Sequence, residues 1–403
     1  MTSTSWRTPA VILIAGGIAL TIALGTRQTF GLFLQPMSAD LGWDRQTFAF
    51  ALAAQNLIYG LSQPFTGMIA DKYGAGRVMV VGTLLYMLGL VLMSYSTTGW
   101  ELGLSAGLLI GIAISCLSFS IVFGVVGRSF PPEKRSAALG ITGAAGSFGQ
   151  FVMLPYGQTL ISRLGWQETL LILAVTVAVC LPLASALVEE RKGPQPTAAQ
   201  SIGEALREAF AHRGYLLLCS GYFVCGLQVM FISVHFPAYL VDSGMSPETG
   251  MAGLALIGLF NILGSYVWGR LGATYRKKRL LSALYLLRAI NIAVFIATPI
   301  TPLSVYLFAA VIGFLWLGTV PITSALIAEI FGARYLSTLG GIAFLSHQLG
   351  SAVGVGLGGI MFDLTGSYLV MWLLAIAFGL FAAIVNWPID DRPLVRAPAN
   401  APA

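Results

Sequence analysis

The stretch Gly67-Met68-Ile69-Ala70-Asp71-Lys72-Tyr73-Gly74-Ala75-Gly76-Arg77 lies between two apolar runs. Its charges and glycines predict a short polar loop joining two membrane helices. A degenerate second copy, Gly269-Arg270-Leu271-Gly272-Ala273-Thr274-Tyr275-Arg276-Lys277-Lys278-Arg279, follows 202 positions later. The same offset pairs Asp40 with Asp242 and Gly42 with Gly244. In a chain of 403 residues, that offset predicts two similar halves.

Working outward, 57% of residues are hydrophobic, only 9% are charged, and the mean hydropathy is +0.82. Soluble domains carry roughly 25% charged residues, so a water-soluble fold could not hide this apolar surface. Each helical crossing needs about 20 apolar residues. Twelve such stretches fall near 10–37, 46–70, 78–98, 101–127, 136–161, 167–188, 214–240, 247–271, 280–298, 303–328, 336–362 and 367–388. The alternation of a membrane β-barrel is absent, so the expected class is an all-α membrane protein with twelve spans. With both termini cytoplasmic, 18 of the 22 basic residues fall on the cytoplasmic side. Arg45 and Arg163 fall outside, and Arg27 and Arg288 fall within helices. This is a positive-inside signal, and it accounts for the net charge of +6 without a nucleic-acid partner. The first helix is too long to read as a cleaved leader.

The domain reading is 1–188 for the first half, 189–213 for a cytoplasmic linker, 214–390 for the second half and 391–403 for a disordered tail. Within the linker, Ser201-Ile202-Gly203-Glu204 has the form of a capping box opening a short amphipathic helix. Asp44 is placed to cap the second span. Gly103, Gly107 and Gly111, Gly140, Gly143, Gly146 and Gly149, and Gly350, Gly354 and Gly358 each step along one helix face. Such faces serve static close packing or sliding surfaces, and both readings stand. Cys116, Cys180, Cys219 and Cys225 sit inside predicted spans without metal or disulfide spacing. No Walker loop, nucleophile–base arrangement or metal-spaced set occurs. Neither an enzyme nor a cofactor is expected.

All 16 acidic residues fall in loops, tails or helix ends. A guanidinium stays charged, and the bilayer centre costs a cation roughly 2.5–3.5 kcal/mol on lenient scales. Arg27, inside the polar run Gly25-Thr26-Arg27-Gln28-Thr29, therefore reads as a group that faces water and receives an anion. Its alternative is a structural arginine bonding helix-end carbonyls. Arg288, about 13 Å beyond Arg279 at 1.5 Å per residue, reads as snorkelling or bonding backbone within its own half. His347 and Gln348, midway along the eleventh span, are candidates for binding and, for His347, proton coupling. His235 is a second proton candidate. Asn56 and Asn261 either line a cavity or clamp helices. Gln28, Tyr156 and Trp316 are further candidates for the cavity wall.

The first loop copy resembles the signature of the major facilitator superfamily between helices 2 and 3, with Gly76 where a second basic residue is common. That resemblance implies two six-helix halves related by an axis along the membrane normal, with substrate bound at mid-membrane between them. It also implies that helices 1 and 11 line the cavity and helix 9 is peripheral. Three segments resemble the monocarboxylate and oxalate–formate porters. They are residues 41–77 with Leu41-Gly42-Trp43-Asp44-Arg45 and Gln63-Pro64-Phe65-Thr66-Gly67, residues 130–166 with Phe130-Pro131-Pro132-Glu133-Lys134-Arg135, and the run Phe362-Asp363-Leu364-Thr365-Gly366-Ser367-Tyr368. By the resemblance, Arg27 falls where monocarboxylate porters carry a basic residue and His347 where oxalate porters carry lysine. Ser265 and Asn261 stand where those porters carry the helix 8 arginine and aspartate, so that pair is absent.

The resulting expectation is a monomeric secondary transporter in the inner (plasma) membrane. It would move a small organic anion, a monocarboxylate by preference, with or without protons. Gly67, Asp71, Lys72, Arg77, Lys134 and Arg135 are expected to form the cytoplasmic gate, with Asp71 accepting from helix N-terminal N–H groups or pairing with Lys134-Arg135. Proton-coupled efflux of amphipathic compounds is the alternative function, and a non-transporting sensor is the third.

Overall fold

The computed structural model describes residues 6–43, 45–188 and 200–394, the side chains of Arg45 and Gln46 excepted. Twelve long helices account for nearly all of it, and no strand occurs among the described residues. The first six are α1 (Pro9–Leu41), α2 (Arg45–Tyr73), α3 (Ala75–Ser94), α4 (Gly99–Ser129), α5 (Pro132–Leu164) and α6 (Trp166–Ala186). The second six are α7 (Arg213–Asp242), α8 (Pro247–Thr274), α9 (Lys277–Ala297), α10 (Pro302–Phe331), α11 (Leu336–Thr365) and α12 (Leu369–Asn386). All twelve expected spans are present, half of them longer at both ends by one to four residues.

Ten of the twelve are long and apolar enough to cross a bilayer on composition. The two that fall short are α2 and α11. Gln55, Asn56, Gln63 and Asp71 dilute α2, and Ser346, His347, Gln348 and Ser351 dilute α11. A crossing helix turns such polar groups to protein or a wet path rather than lipid. Outward positions are bare hydrocarbon, among them Phe50 and Phe65 on the outer face of α2 itself, and Val175, Leu307 and Ile384 elsewhere.

Four helices are interrupted inside the span, α6 briefly at Val179 and three others at greater length, which in a membrane demands local satisfaction of the freed backbone. In α1 a 3-10 segment, Thr29–Phe33, follows directly on Arg27 and Gln28. In α4 the break falls between Cys116 and Phe119, and Gln63 of α2 donates to the Ser115 carbonyl at 3.1 Å. In α10 it falls between Phe314 and Thr319. There Arg288 of α9 donates to the Leu315 carbonyl from Nε at 3.0 Å and from Nη2 at 2.6 Å, and to the Trp316 carbonyl as well. Arg288 is 1% exposed. Of its two expected behaviours, backbone bonding within its own half holds and snorkelling does not, because the α10 break supplies carbonyls at depth.

The halves meet along two crossings. At one, α2 lies on α11, with Gly67 against the Ser337 backbone and Gly341 against Gln63. At the other, α5 lies on α8, with Gly140 against Gly269 and the Ser136 hydroxyl donating to the Gly269 carbonyl at 2.8 Å. The hydrogen bonds joining the halves run from Asn56–Gln348 and Ser147–Asn261 at mid-span down to Asp71–Thr338 at the loops. They lie on the side of the basic loops, called the basic side below.

Between the halves, Ser201 and Glu204 form the expected capping box, and the helix it opens runs Ile202–Ala211. The remainder of the linker through residue 199, the Asp44 cap and the tail from 395 lie outside the described residues. Beyond α12, Asp391 accepts from Arg276 at 2.6 and 3.0 Å, and Leu394 N donates to the Ile330 carbonyl at 2.9 Å. The Arg276 hydrogen bonds hold the Asp391 carboxyl below the usual carboxylate range. A lowered folded value means that this latch stabilises above the unfolded value and is lost as pH falls through the folded one. Asp391→Asn therefore lowers the midpoint of thermal unfolding at pH 7, by roughly 1 kcal/mol of stability, and the gap to wild type narrows in acid.

Candidate functional site

Arg27 stands near the middle of α1, half-buried. Its guanidinium donates to Asn56 Oδ1 on α2 and lies over the Tyr59 ring, 5.4 Å from the centroid. Asn56 is itself held by donating Nδ2 to the Leu52 carbonyl at 2.9 Å, so its oxygen is aimed at the guanidinium. Tyr59 in turn meets Phe344 of α11, ring centroids 5.0 Å apart. These contacts turn Arg27 toward the seam between the halves and away from lipid. Among the described residues Arg27 is in no ion pair, and its buried Nε has no hydrogen-bond partner. Its positive charge is met by a neutral amide and an aromatic face.

The second half answers with His347 and Gln348. Gln348 donates Nε2 to the Asn56 carbonyl at 3.4 Å, and its side chain packs on Gly60. His347 Nδ1 faces Gln348 Oε1 at 3.3 Å. A carbonyl oxygen accepts only, so Nδ1 donates, and in the neutral form of the ring the lone pair is on Nε2. The ring stacks on Phe344 at 5.4 Å and meets Tyr222 at 5.0 Å. His347 is 7% exposed, and its Nε2 is buried without a hydrogen bond. Arg27, Asn56, Gln348 and His347 thus form one polar group across the two halves.

The remaining expected site residues lie elsewhere. Tyr156 bonds Thr176 of α6 through its hydroxyl at 3.1 Å, away from this group. Asn261 donates to the Ser147 hydroxyl at 3.0 Å and accepts from Leu317 N at 3.1 Å and the Ser265 hydroxyl at 3.3 Å. Its hydrogen bonds clamp α5, α8 and the α10 break, and it is buried. Trp316 contributes its carbonyl to Arg288 and is buried in the second half. Gln28 is exposed beside Arg27. His235 has both ring nitrogens engaged, Nε2 with the Val355 carbonyl at 3.0 Å and Nδ1 with the Tyr368 hydroxyl at 3.3 Å. It pins α7 to α11 and to the start of α12.

At the basic end, the Asp71 carboxylate is buried. It accepts from Thr338 N at 2.7 Å and the Thr338 hydroxyl at 2.8 Å, in the first turn of α11. Anionic side chains are favoured there by free N–H groups and the helix dipole. Its cationic partner is Arg128, at 2.8 Å, and neither Lys134 nor Arg135. The reason is local: Arg128 ends α4 before the Phe130-Pro131-Pro132 turn, whereas Arg135 turns back to cap that end through the Gly127 carbonyl at 2.7 Å. Arg128 also reaches the Ala333 and Arg334 carbonyls, so it ties three segments together. Lys134 and Arg77 are exposed, and Lys72 lies over the Tyr73 ring at 5.1 Å. The backbone of α11 lies against Gly67, where an added Cβ would fall 2.4 Å from the Ser337 oxygen. Arg128 was not singled out in the sequence, although it is the last cation before the proline turn.

Two six-helix halves, joined on one side by the hydrogen bonds of Asp71 and Arg128 to the start of α11 and meeting at mid-span beside Arg27, which is in no ion pair among the described residues, have the form of a membrane carrier. The chain belongs to the major facilitator superfamily: the family model of that description matches residues 16–346 and 218–403. It is 28% identical over 384 residues to the uncharacterized MFS-type transporter YcxA of Bacillus subtilis (strain 168), covering 91% of each chain. It is 24% identical over 378 residues to monocarboxylate transporter 13 of Rattus norvegicus, covering 91% of this chain and 86% of that one. The fold is similar to a crystal structure of the E. coli fucose:proton symporter FucP, with a TM-score of 0.75 at 14% identity over 94% of this chain and 98% of that chain. The protein is a multi-pass membrane transporter of a small molecule and not an enzyme.

Proposed function

We propose that the protein moves a small organic anion, a monocarboxylate by preference, across the plasma membrane by alternating access. The observation that carries this is Arg27: a permanent cation at mid-span, turned to the seam between the halves, with no acidic neighbour among the described residues. A substrate carboxylate would complete it through charge-assisted hydrogen bonds. Likeness to a protein named monocarboxylate transporter 13 supports the substrate class. Gln348 and His347 would orient the anion from the opposite half, with Gln28 beside Arg27. His347, with its free Nε2, is the better proton carrier, since both nitrogens of His235 already serve as a clamp. The termini and the basic loops lie in the cytoplasm on this reading, and the contacts on that side correspond to a state closed to the cytoplasm. Purified protein in proteoliposomes should take up labelled lactate, pyruvate, formate or oxalate, and protection of cells against cationic dyes without such uptake would replace this reading with efflux.

Asp71 is the gate in this account, and Asp71→Asn is its test. The substitution keeps an acceptor for Thr338 but removes the charge that faces the α11 N-terminus and Arg128. The pair with Arg128 lies within the first half, so the loss specific to the closed form is that of the charge-assisted bonds across to the N-terminus of α11, roughly 1 kcal/mol, about fivefold in the ratio of closed to open forms. A cysteine placed at Thr338 should then react faster with an impermeant thiol reagent added on the basic side. Unchanged reactivity would separate Asp71 from gating.

A further inference from the structure

Arg288 is the second buried cation, and the α10 carbonyls answer its hydrogen bonds but not its charge. Among the described residues it is in no ion pair. The side chain on its other face is Cys225 of α7, which receives a hydrogen bond from Nη1 at 3.5 Å. The Thr319 hydroxyl lies 3.1 Å from the same sulfur, Gln228 Oε1 lies 3.5 Å from Nη1, and the His347 ring stands beside the sulfur. His347 Nε2, buried and without a hydrogen bond, is the lone pair left over once Nδ1 has bonded Gln348. The titratable groups facing the cluster are Tyr222 from α7, Tyr285 and Arg288 from α9 and His347 from α11, with Tyr59 of α2 behind Tyr222. In order these groups run Arg27–Asn56–Gln348–His347–Cys225–Arg288, hydrogen-bonded at every step but His347–Cys225, from the first half into the core of the second.

We propose that Cys225 supplies, as a thiolate, the negative charge that Arg288 lacks, and that Cys225 and His347 together form a proton-loading site. Protonating an imidazole beside an unbalanced guanidinium would set two cations together in a low-dielectric interior, which is strongly disfavoured. A thiolate between them removes that obstacle. The step is a single proton uptake: an N–H bond forms at Nε2, no bond to sulfur breaks, and nothing is oxidised. The cluster passes from net neutral (Arg288 positive, Cys225 negative) to one positive charge. That charge lies next to Gln348 and so adds to the pull of Arg27 on an incoming anion. A transporter without a carboxylate inside the membrane would in this way couple protons through sulfur and imidazole. The link to uptake rests on the carboxylate reading above, while the thiolate itself does not.

The test compares thiolate ultraviolet absorbance of the full-length protein with that of Cys225→Ser, across pH. The difference should equal one thiolate per chain at pH 7, where an ordinary thiol contributes only a few per cent. A difference that develops only above about pH 8.5, as for a free thiol, overturns the proposal. In proteoliposomes under an imposed proton gradient, Cys225→Ser should lower lactate accumulation about tenfold while lactate counterflow without a gradient stays within twofold. Cys225→Asp should keep gradient-driven accumulation. Full gradient-driven accumulation in Cys225→Ser, or an equal loss of counterflow, overturns the coupling role. If the wild type moves no lactate, the carboxylate reading falls and the absorbance still decides the thiolate.

Discussion

Arg27→Gln abolishes carboxylate uptake and leaves a folded protein in the membrane. The glutamine can still reach Asn56 and lie against Tyr59, so the local packing of α1 on α2 survives. What disappears is the mid-span charge that faces the seam with no ion pair among the described residues. Removing one member of a buried charged hydrogen-bonded pair costs roughly 2–5 kcal/mol, which is about 30-fold to several thousandfold in affinity. The check is initial uptake of labelled lactate or pyruvate at equal reconstituted protein, together with an unfolding midpoint for each variant. Because Arg27 is destabilising without its ligand, Arg27→Gln should unfold at the same temperature as wild type or slightly above it. Arg27→Lys keeps the charge but not the planar fork, so it should retain part of the activity with weakened binding.

Gly269→Val is the second variant with a large expected effect, and its signature differs. A Cβ at Gly269 would lie 2.2 Å from the Gly140 Cα and 3.2 Å from the Ser136 carbonyl oxygen. Those are backbone atoms and have no rotamer with which to yield. The crossing of α5 on α8 joins the two halves, however, and not the core of either one. Each half should therefore fold, and the halves should be unable to close on the basic side. Transport should be lost at normal protein yield, and a cysteine introduced at Ser136 should become reactive from the basic side. Gly350→Val provides the contrast. Its Cβ would fall 1.9 Å from the Phe223 carbonyl of α7, inside the second half, so it should reduce folded yield outright. Overpacking costs of roughly 1–3 kcal/mol or more apply to both. The conformation they penalise differs.

The spans were open to reading in the sequence because lipid forces backbone groups to pair within each helix, and apolar length reports that directly; the stretch Gly67–Arg77, read as a loop, is instead helical on both sides of Gly74, whose positive φ makes the whole turn. Arg27 was legible for a related reason: an arginine inside an apolar run has few ways to exist. The interruptions in α4 and α10 were not legible, since Leu315-Trp316-Leu317-Gly318 is as hydrophobic as a continuous helix, and only the partner Arg288 reveals the freed carbonyls. The ion pair of Asp71 with Arg128 joins positions 57 apart, and Lys134 and Arg135 were equally plausible until the proline turn fixed their direction. Asn261 and Tyr156 show the same limit. Their polarity marked them, but which helix a side chain meets is decided by rotation about the axis, and Asn261 is taken up by Ser147, Leu317 and Ser265. Cys225 gave no signal at all, as a small packing residue and a charge partner look alike in one dimension.

The claim on which the account stands is that the guanidinium of Arg27 awaits an anion. The most direct measurement is the shift in unfolding midpoint of the purified protein with a panel of small monocarboxylates and with their neutral amides of the same shape. The account predicts that at least one carboxylate raises the midpoint, that its amide does not, and that Arg27→Gln erases the difference. Equal stabilisation by acid and amide, or a carboxylate effect that persists in Arg27→Gln, would contradict it.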